Sequence, residues 1–181
     1  NIVLIEHKYE IVNCDDLKTH ISRGAIGIIE YASLVNGRSI DSSLLRAEFL
    51  EEYSKNTFVH TKMIDGISDL ISLIDDQNIK WGIVTNKPSY LVLPIIEMLN
   101  FTHVPNCIVA GDTLSVKKPN PEPLIYASKQ ISIDPIFCAY VGDDLRDIVA
   151  ANAAKMFSVA AAYGFISDTN QIKEWESDYI I

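Results

Sequence analysis

The sequence is short of basic residues, of cysteine and of long apolar runs. Its 15 lysines and arginines are outnumbered by 24 aspartates and glutamates, giving a formal net charge of -9. Nucleic-acid-binding domains ordinarily carry a basic patch, so this balance argues against a nucleic-acid partner. No apolar run approaches the roughly 20 residues that cross a bilayer as a helix, which argues against a membrane span. The opening stretch, from Asn1 to Glu10, has no basic flank and too short an apolar run for a secretory leader. Cys14, Cys107 and Cys138 lie far apart in no metal-binding spacing. An odd count, with two in apolar segments, reads as reduced, buried thiols and therefore as a cytoplasmic protein. There is no internal repeat and no low-complexity stretch.

What is present is enough for one substantial core with a smaller attached module: 181 residues, 48% of them hydrophobic. From about Lys62 onward, helical stripes alternate with short apolar runs. Ile67, Leu70, Ile71 and Ile74 mark a helix, and Trp81–Val84 a strand. Leu91–Leu99 follows as a helix and Cys107–Ala110 as a strand. Pro121–Ile131 reads as a helix, Ile136–Val141 as a strand, Leu145–Ala154 as a helix, and Met156–Ala161 and Tyr179–Ile181 as strands. Strands that read as continuous apolar runs between helices predict an α/β fold, a parallel sheet covered on both faces. Residues 1–60 show no good strand. Glu30–Leu34 and Ser42–Lys55 read as helices, the second with Leu44, Leu45, Phe49 and Leu50 as its stripe. The expectation is a helical module over 1–60 and an α/β core over 61–181, joined near Thr57–Asp65.

Three strand ends carry polar clusters, and ligands of open α/β sheets bind outside such ends. In Val141-Gly142-Asp143-Asp144-Leu145-Arg146-Asp147, three acids fall within five residues. They suit a hard cation such as Mg²⁺, which needs only one or two carboxylates and keeps several waters. They equally suit the start of a helix, where negative charge is favoured. In Val84-Thr85-Asn86-Lys87-Pro88, a hydroxyl and free backbone N–H groups at a helix start suit a phosphate, or an ordinary cap. In Lys117-Lys118-Pro119-Asn120-Pro121-Glu122-Pro123, prolines stiffen a loop and fix the direction of the preceding lysine. Such a lysine would balance aspartates and a phosphate, or simply face water.

Taken in order, V-T-N-K-P, G-D-T-L-S-V-K-K-P-N-P-E-P-L and Y-V-G-D-D-L-R-D-I resemble the second, third and fourth motifs of the haloacid dehalogenase superfamily of phosphatases. The branch that acts on phosphoglycolate and on N-acetylmuramic acid 6-phosphate is the closer match. W-G-I-V-T-N-K-P, R-A-E-F-L-E-E-Y, A-Y-G-F and W-E-S-D-Y-I-I all fit it. The resemblance implies a Rossmann-like parallel sheet with a helical cap, and Mg²⁺-dependent hydrolysis of a small-molecule phosphate ester. By motif position, it implies that Thr85 and the Asn86 backbone hold phosphoryl oxygens. Lys118 would steady the phosphate, Asp143 would ligate Mg²⁺, and Asp144 and Asp147 would support it. In related caps such a turn faces the substrate, so Arg23, in the Gly-rich Ser22–Gly27 turn, would pair with a substrate carboxylate, or be an ordinary surface arginine at a helix start. His7, His20, His60 and His103 match no motif.

One element of the resemblance is missing. The family's nucleophilic aspartate belongs to an Asp-x-Asp-Gly-Thr motif after a first, central strand, and no such motif occurs here; the nearest imitation has Met63 where the first Asp belongs. Losing a central strand would leave buried backbone groups unpaired at about 1–3 kcal/mol each, against a total stability of about 5–15 kcal/mol. Three outcomes are expected: native residues preceding Asn1 supply the strand, the flanking strands close up, or another chain donates one. Residues 1–181 alone are expected to be inactive. A phosphomutase of the same superfamily and a non-catalytic remnant that binds phosphate or a protein stay open, as does a homo-oligomer.

Overall fold

A computed structural model describes residues 1–38, 41–163 and 169–181. They divide into two units, one built on Asn1–Asn56, the other on Thr57–Ala162 with Asn170–Ile181. Gly164 and Phe165 of the A-Y-G-F stretch lie outside the described residues. No helix of the described residues is long and apolar enough to cross a membrane.

The first unit is helical: α1 (Ile2–Glu6), α2 (Cys14–Leu17), a 3₁₀ segment (Lys18–Arg23), α3 (Gly24–Val35) and α4 (Ser42–Asn56). Local side chains start the helices. Asn13 accepts the Asp15 N–H ahead of α2, and Asp41 accepts the Ser43 and Leu44 N–H groups at the head of α4. Val3, Leu4, Val12, Ile29, Ala32 and Leu45 form the core. Of the four stripe residues read on α4, only Leu45 is buried in it; Leu44 is exposed and Phe49 and Leu50 half-buried. The Ser22–Gly27 stretch is not the open turn expected. It runs from the 3₁₀ segment into α3, and its glycines serve the junction. Gly24 sits at φ +67°, a glycine-favouring conformation, while a Cβ on Gly27 would lie 2.4 Å from that of Arg23.

The second unit contains α5 (Ile67–Asp76), β1 (Gly82–Val84), α6 (Ser89–Leu99), β2 (Cys107–Val109), α7 (Glu122–Gln130), β3 (Ala139–Gly142), α8 (Leu145–Ala154), β4 (Phe157–Ala160), α9 (Thr169–Ile172) and β5 (Tyr179–Ile180). Every strand pair is parallel, β1 with β2, β3 with β4, and β4 with β5, so the α/β architecture is as the alternation predicts. Leu124 on α7 and Ala150, Ala151 and Ala154 on α8 form the core with Met156; the alanines let α8 lie close to the sheet. The strand read from Ile136 begins only at Ala139. Asp134 accepts the Ile136 N–H and Pro135 fixes the next φ, so Pro135–Phe137 forms a 3₁₀ turn instead, with Phe137 82% exposed.

The sheet is divided. The strand orders are β1-β2 and β3-β4-β5, and no pairing among the described residues joins β1 to β3. Of the three outcomes expected, the closing up of the flanking strands is the one this overturns. Between them lies a cleft of about 540 Å³, walled by β1 and β3 with Leu124, Ala127, Ile131, Ile133 and Met156 among its lining. Val141, which a covered parallel strand would bury, is 51% exposed on that cleft.

At the other edge, Asp178 fastens β5 to β4. Its carboxylate accepts the Ser158 N–H (2.8 Å) and hydroxyl (2.9 Å). The Ser158 N–H and then its hydroxyl hold the Asp178 carboxyl below its ordinary pKa, against a small opposing effect of burial. A depressed carboxyl stabilises the fold above its unfolded pKa, and that contribution disappears as pH falls through the folded value. The melting temperature of Asp178→Asn is thus expected below that of the parent at pH 7, the gap closing below about pH 4; a gap independent of pH would contradict the assignment. In the core, Leu124 is 0% exposed, and Leu124→Ala is expected to lower unfolding free energy by about 2–5 kcal/mol in urea titration.

Candidate active site

The site is built on the C-terminal ends of β1 and β3. β1 ends in the turn Thr85–Pro88, and the Thr85 N–H extends the ladder to Val109 O (2.9 Å). The Thr85 hydroxyl accepts the Lys87 N–H (3.1 Å), so it caps its own turn. The neighbouring amide does more than the sequence suggested. Asn86 Nδ2 donates to Lys118 O (2.9 Å), and Asn86 Oδ1 accepts the Lys118 N–H (3.0 Å). This two-way clamp joins the loop after β1 to the loop before α7. A third loop is packed against it: Gly111 donates its N–H to Lys87 O (2.8 Å), and a Cβ there would lie 2.1 Å from Asn86 O. Asp112 then accepts the Ser89 N–H (2.8 Å) and hydroxyl (2.7 Å) at the head of α6.

Lys118 is 8% exposed. Its ammonium donates to Val84 O (2.9 Å), to the Tyr140 hydroxyl (2.7 Å) and to Asp147 Oδ1 (2.7 Å). An ammonium has three N–H donors, and these acceptors take all of them. The Tyr140 hydroxyl also lies 3.0 Å from Val84 O. Burial, and then the charges of Asp147 and Asp143, push the Tyr140 phenol well above its ordinary pKa, so it stays neutral.

The three acids read as one cluster have three different situations. Asp147 is buried against Lys118. Gly142 makes this contact feasible, because a Cβ there would lie 2.3 Å from the Asp147 Cβ. Asp144 accepts the Arg146 N–H as the cap of α8 and binds the Arg146 guanidinium through both oxygens (2.8 and 2.9 Å). Burial raises the Asp144 carboxyl, but the hydrogen bonds from Arg146 outweigh it and hold it below its ordinary pKa. Asp143 enters no ion pair among the described residues. The protein walls around its carboxyl, and next the charge of Asp147, push its pKa up. The capping reading is satisfied by Asp144 alone.

This donor set fits a hard divalent cation with one direct carboxylate, Asp143, whose strained charge a cation would relieve. No group of three or more His, Cys, Asp or Glu side chains among the described residues forms a ready cage, and Mg²⁺ does not need one. Arg23 lies in the helical unit, where its guanidinium pairs with Glu30. The structure thus brings Asn86, Lys118 and Asp147 into one network and sets Thr85 and Asp143 at the strand ends beside it. Tyr140 and Arg146 are the participants that sequence reasoning missed. The signal for Tyr140 was a polar tip in an otherwise apolar strand.

The chain matches the profile of the haloacid dehalogenase-like hydrolases over residues 1–161. It is 33% identical over 99% of its length to the N-acetylmuramic acid 6-phosphate phosphatase of Pseudomonas putida, covering 80% of that protein. It is 36% identical over 91% of its length to a phosphoglycolate phosphatase of Xylella fastidiosa, covering 72%. The crystal structure of a predicted phosphoglycolate phosphatase from Haemophilus somnus superposes with a TM-score of 0.87 at 22% identity, over 99% of this chain and 83% of that one. With the profile covering most of its residues and two phosphatases above 30% identity, the chain belongs to the haloacid dehalogenase-like hydrolase family.

Proposed function

We propose that this site binds the phosphate of a small acidic phosphomonoester, of the kind represented by phosphoglycolate and N-acetylmuramic acid 6-phosphate, with Mg²⁺ on Asp143. The observation that carries the reading is the buried ammonium of Lys118, held between Val84 at the end of β1 and Asp147 on α8. A positive charge fixed at the rim of a parallel sheet, next to a hydroxyl and a helix start, is what a phosphate requires.

Each residue then has a physical task. Thr85 offers its hydroxyl, and Asn86 its N–H, to phosphoryl oxygens. Lys118 offsets their charge once a phosphate oxygen displaces one of its present acceptors. Asn86 keeps that ammonium in place through the backbone, and Asp147 pairs with it. Mg²⁺, when bound, would neutralise charge on the transferring group; Asp143 would hold it, with Asp144 and Asp147 behind.

Attack on phosphorus needs a free carboxylate, and the three acids of this site, among the described residues, offer none suited to it. Asp144 is tied to Arg146, Asp147 to Lys118, and Asp143 is assigned to the cation. Residues 1–181 are therefore expected to bind a phosphoester without releasing phosphate. A phosphate-release assay on residues 1–181 with both esters and Mg²⁺ decides this, and robust metal-dependent turnover would refute it. A bisphosphate intermediate would point to phosphomutase chemistry.

Calorimetric titration with inorganic phosphate and Mg²⁺ tests the cradle. Lys118→Met is expected to lose affinity tenfold or more, equivalent to about 1.4 kcal/mol. It is also expected to lose about 3–5 kcal/mol of stability, because Asp147 is left buried without its counter-charge. The double variant Lys118→Met, Asp147→Leu is expected to recover most of the stability and none of the affinity. Recovery of both would remove Lys118 from the phosphate site.

A further inference from the structure

The Lys118 ammonium, the Tyr140 phenol and Val84 O form a closed triangle. The ammonium donates to Val84 O (2.9 Å) and to the Tyr140 hydroxyl (2.7 Å), and that hydroxyl donates in turn to Val84 O (3.0 Å). A carbonyl oxygen has two lone pairs, so Val84 O accepts both. The remaining ammonium donor goes to Asp147 Oδ1 (2.7 Å). The ammonium also stands 5.2 Å from the centre of the Tyr140 ring, close enough for attraction to its π face. Tyr140 packs against the core of Leu124, Met156 and the α8 alanines. The ring is thus held by apolar contacts and its oxygen by polar ones.

An ammonium with every donor engaged takes a phosphate oxygen only by giving up an acceptor, and the three acceptors differ in what their release costs. Losing Asp147 would leave a carboxylate buried without its counter-charge. Losing Val84 O would give up a carbonyl, a good acceptor. Losing the phenol oxygen costs least. It is neutral, its lone pair is shared with the ring, and its O–H keeps its own partner in Val84 O. After that exchange, Asp147 and Val84 O still accept from the ammonium, and the phenol still donates.

We propose that Tyr140 is the placeholder for phosphate on Lys118, a positioning residue whose hydroxyl holds one ammonium N–H in the empty site and yields it to a phosphoryl oxygen. This role rests on the phosphate reading above and sets how easily that site empties. Tyr140 stabilises the empty state, because without it a buried N–H would lack an acceptor. It contributes nothing of the kind once phosphate has taken the N–H. The phenol therefore lowers phosphate affinity. A site that takes in phosphate esters must also let phosphate leave, and a resident acceptor ready to reclaim the N–H makes that departure easier.

The test is calorimetric titration of residues 1–181 with inorganic phosphate at fixed Mg²⁺, comparing the parent with Tyr140→Phe. That variant keeps the ring and removes only the oxygen. The expected effects have opposite signs: Tyr140→Phe binds phosphate about fivefold more tightly, yet melts at a lower temperature when free of phosphate. Saturating phosphate is expected to narrow the melting gap. A ring needed only for packing would leave the affinity unchanged or lower it. A second measurement needs no variant. In the parent made with isotope-labelled tyrosine, the NMR resonance of Tyr140 Cζ is expected to move as phosphate saturates, because the phenol oxygen loses a charged donor. Equal or weaker binding by Tyr140→Phe, or an unmoved Tyr140 resonance in a parent that binds phosphate, would overturn this role and leave the phosphate site standing. A parent that binds no phosphate would overturn both.

Discussion

The ion pair between Lys118 and Asp147 organises the second unit's rim. Both partners are nearly buried and their charged atoms lie 2.7 Å apart. Removing two charges from water is costly, and the cost is met only where the remaining donors and acceptors are also satisfied. Here they are. The ammonium reaches Val84 O and the Tyr140 hydroxyl, while Gly142 gives Asp147 room to approach. The pair therefore fixes where β1, the loop before α7 and the head of α8 stand with respect to one another. An apolar pair of similar volume could hold those elements as well.

The division of the sheet gives that pair a second significance. Thr85 and Asn86 belong to the half built on β1 and β2, and Asp143 and Asp147 to the half built on β3, β4 and β5. Lys118 and Tyr140 bridge the halves near Val84. The geometry of the proposed phosphate site and the width of the cleft are accordingly linked. Each half has its own reason to persist, helices α7 and α8 supplying the apolar cover and Asp178 fastening the far edge. What lies between them is open, and the rim chemistry is balanced across that opening.

Much of this was legible from residues alone, and the reasons are specific. Apolar runs alternating with helical stripes located all five strands of the described residues. Thr85 and Asp143 were singled out because strand ends in such sheets are where polar clusters have a use, and Lys118 because of the prolines that follow it. Other features had no local signature. The Asn86 clamp joins residues 32 positions apart, and no spacing rule reports it. The different fates of Asp143, Asp144 and Asp147 depend on which cation folds back on each; Arg146 was in plain view, but its choice of Asp144 was not. The Ser22–Gly27 stretch was misread because glycines signal turns in sequence, whereas here one serves a helix junction and the other a close helical approach. Pro135 shortened a strand whose apolar pattern continued past it.

The Asn86 clamp has a consequence of its own. Its two hydrogen bonds reach the main-chain N–H and C=O of residue 118 and ignore what that residue carries. The seat is thus blind to its passenger. Another side chain placed there would keep both of these bonds, while the ion pair with Asp147 would be lost. Such a joint separates the location of a functional group from its identity, and lets the chemistry at one point of the rim drift while the scaffold around it stays put.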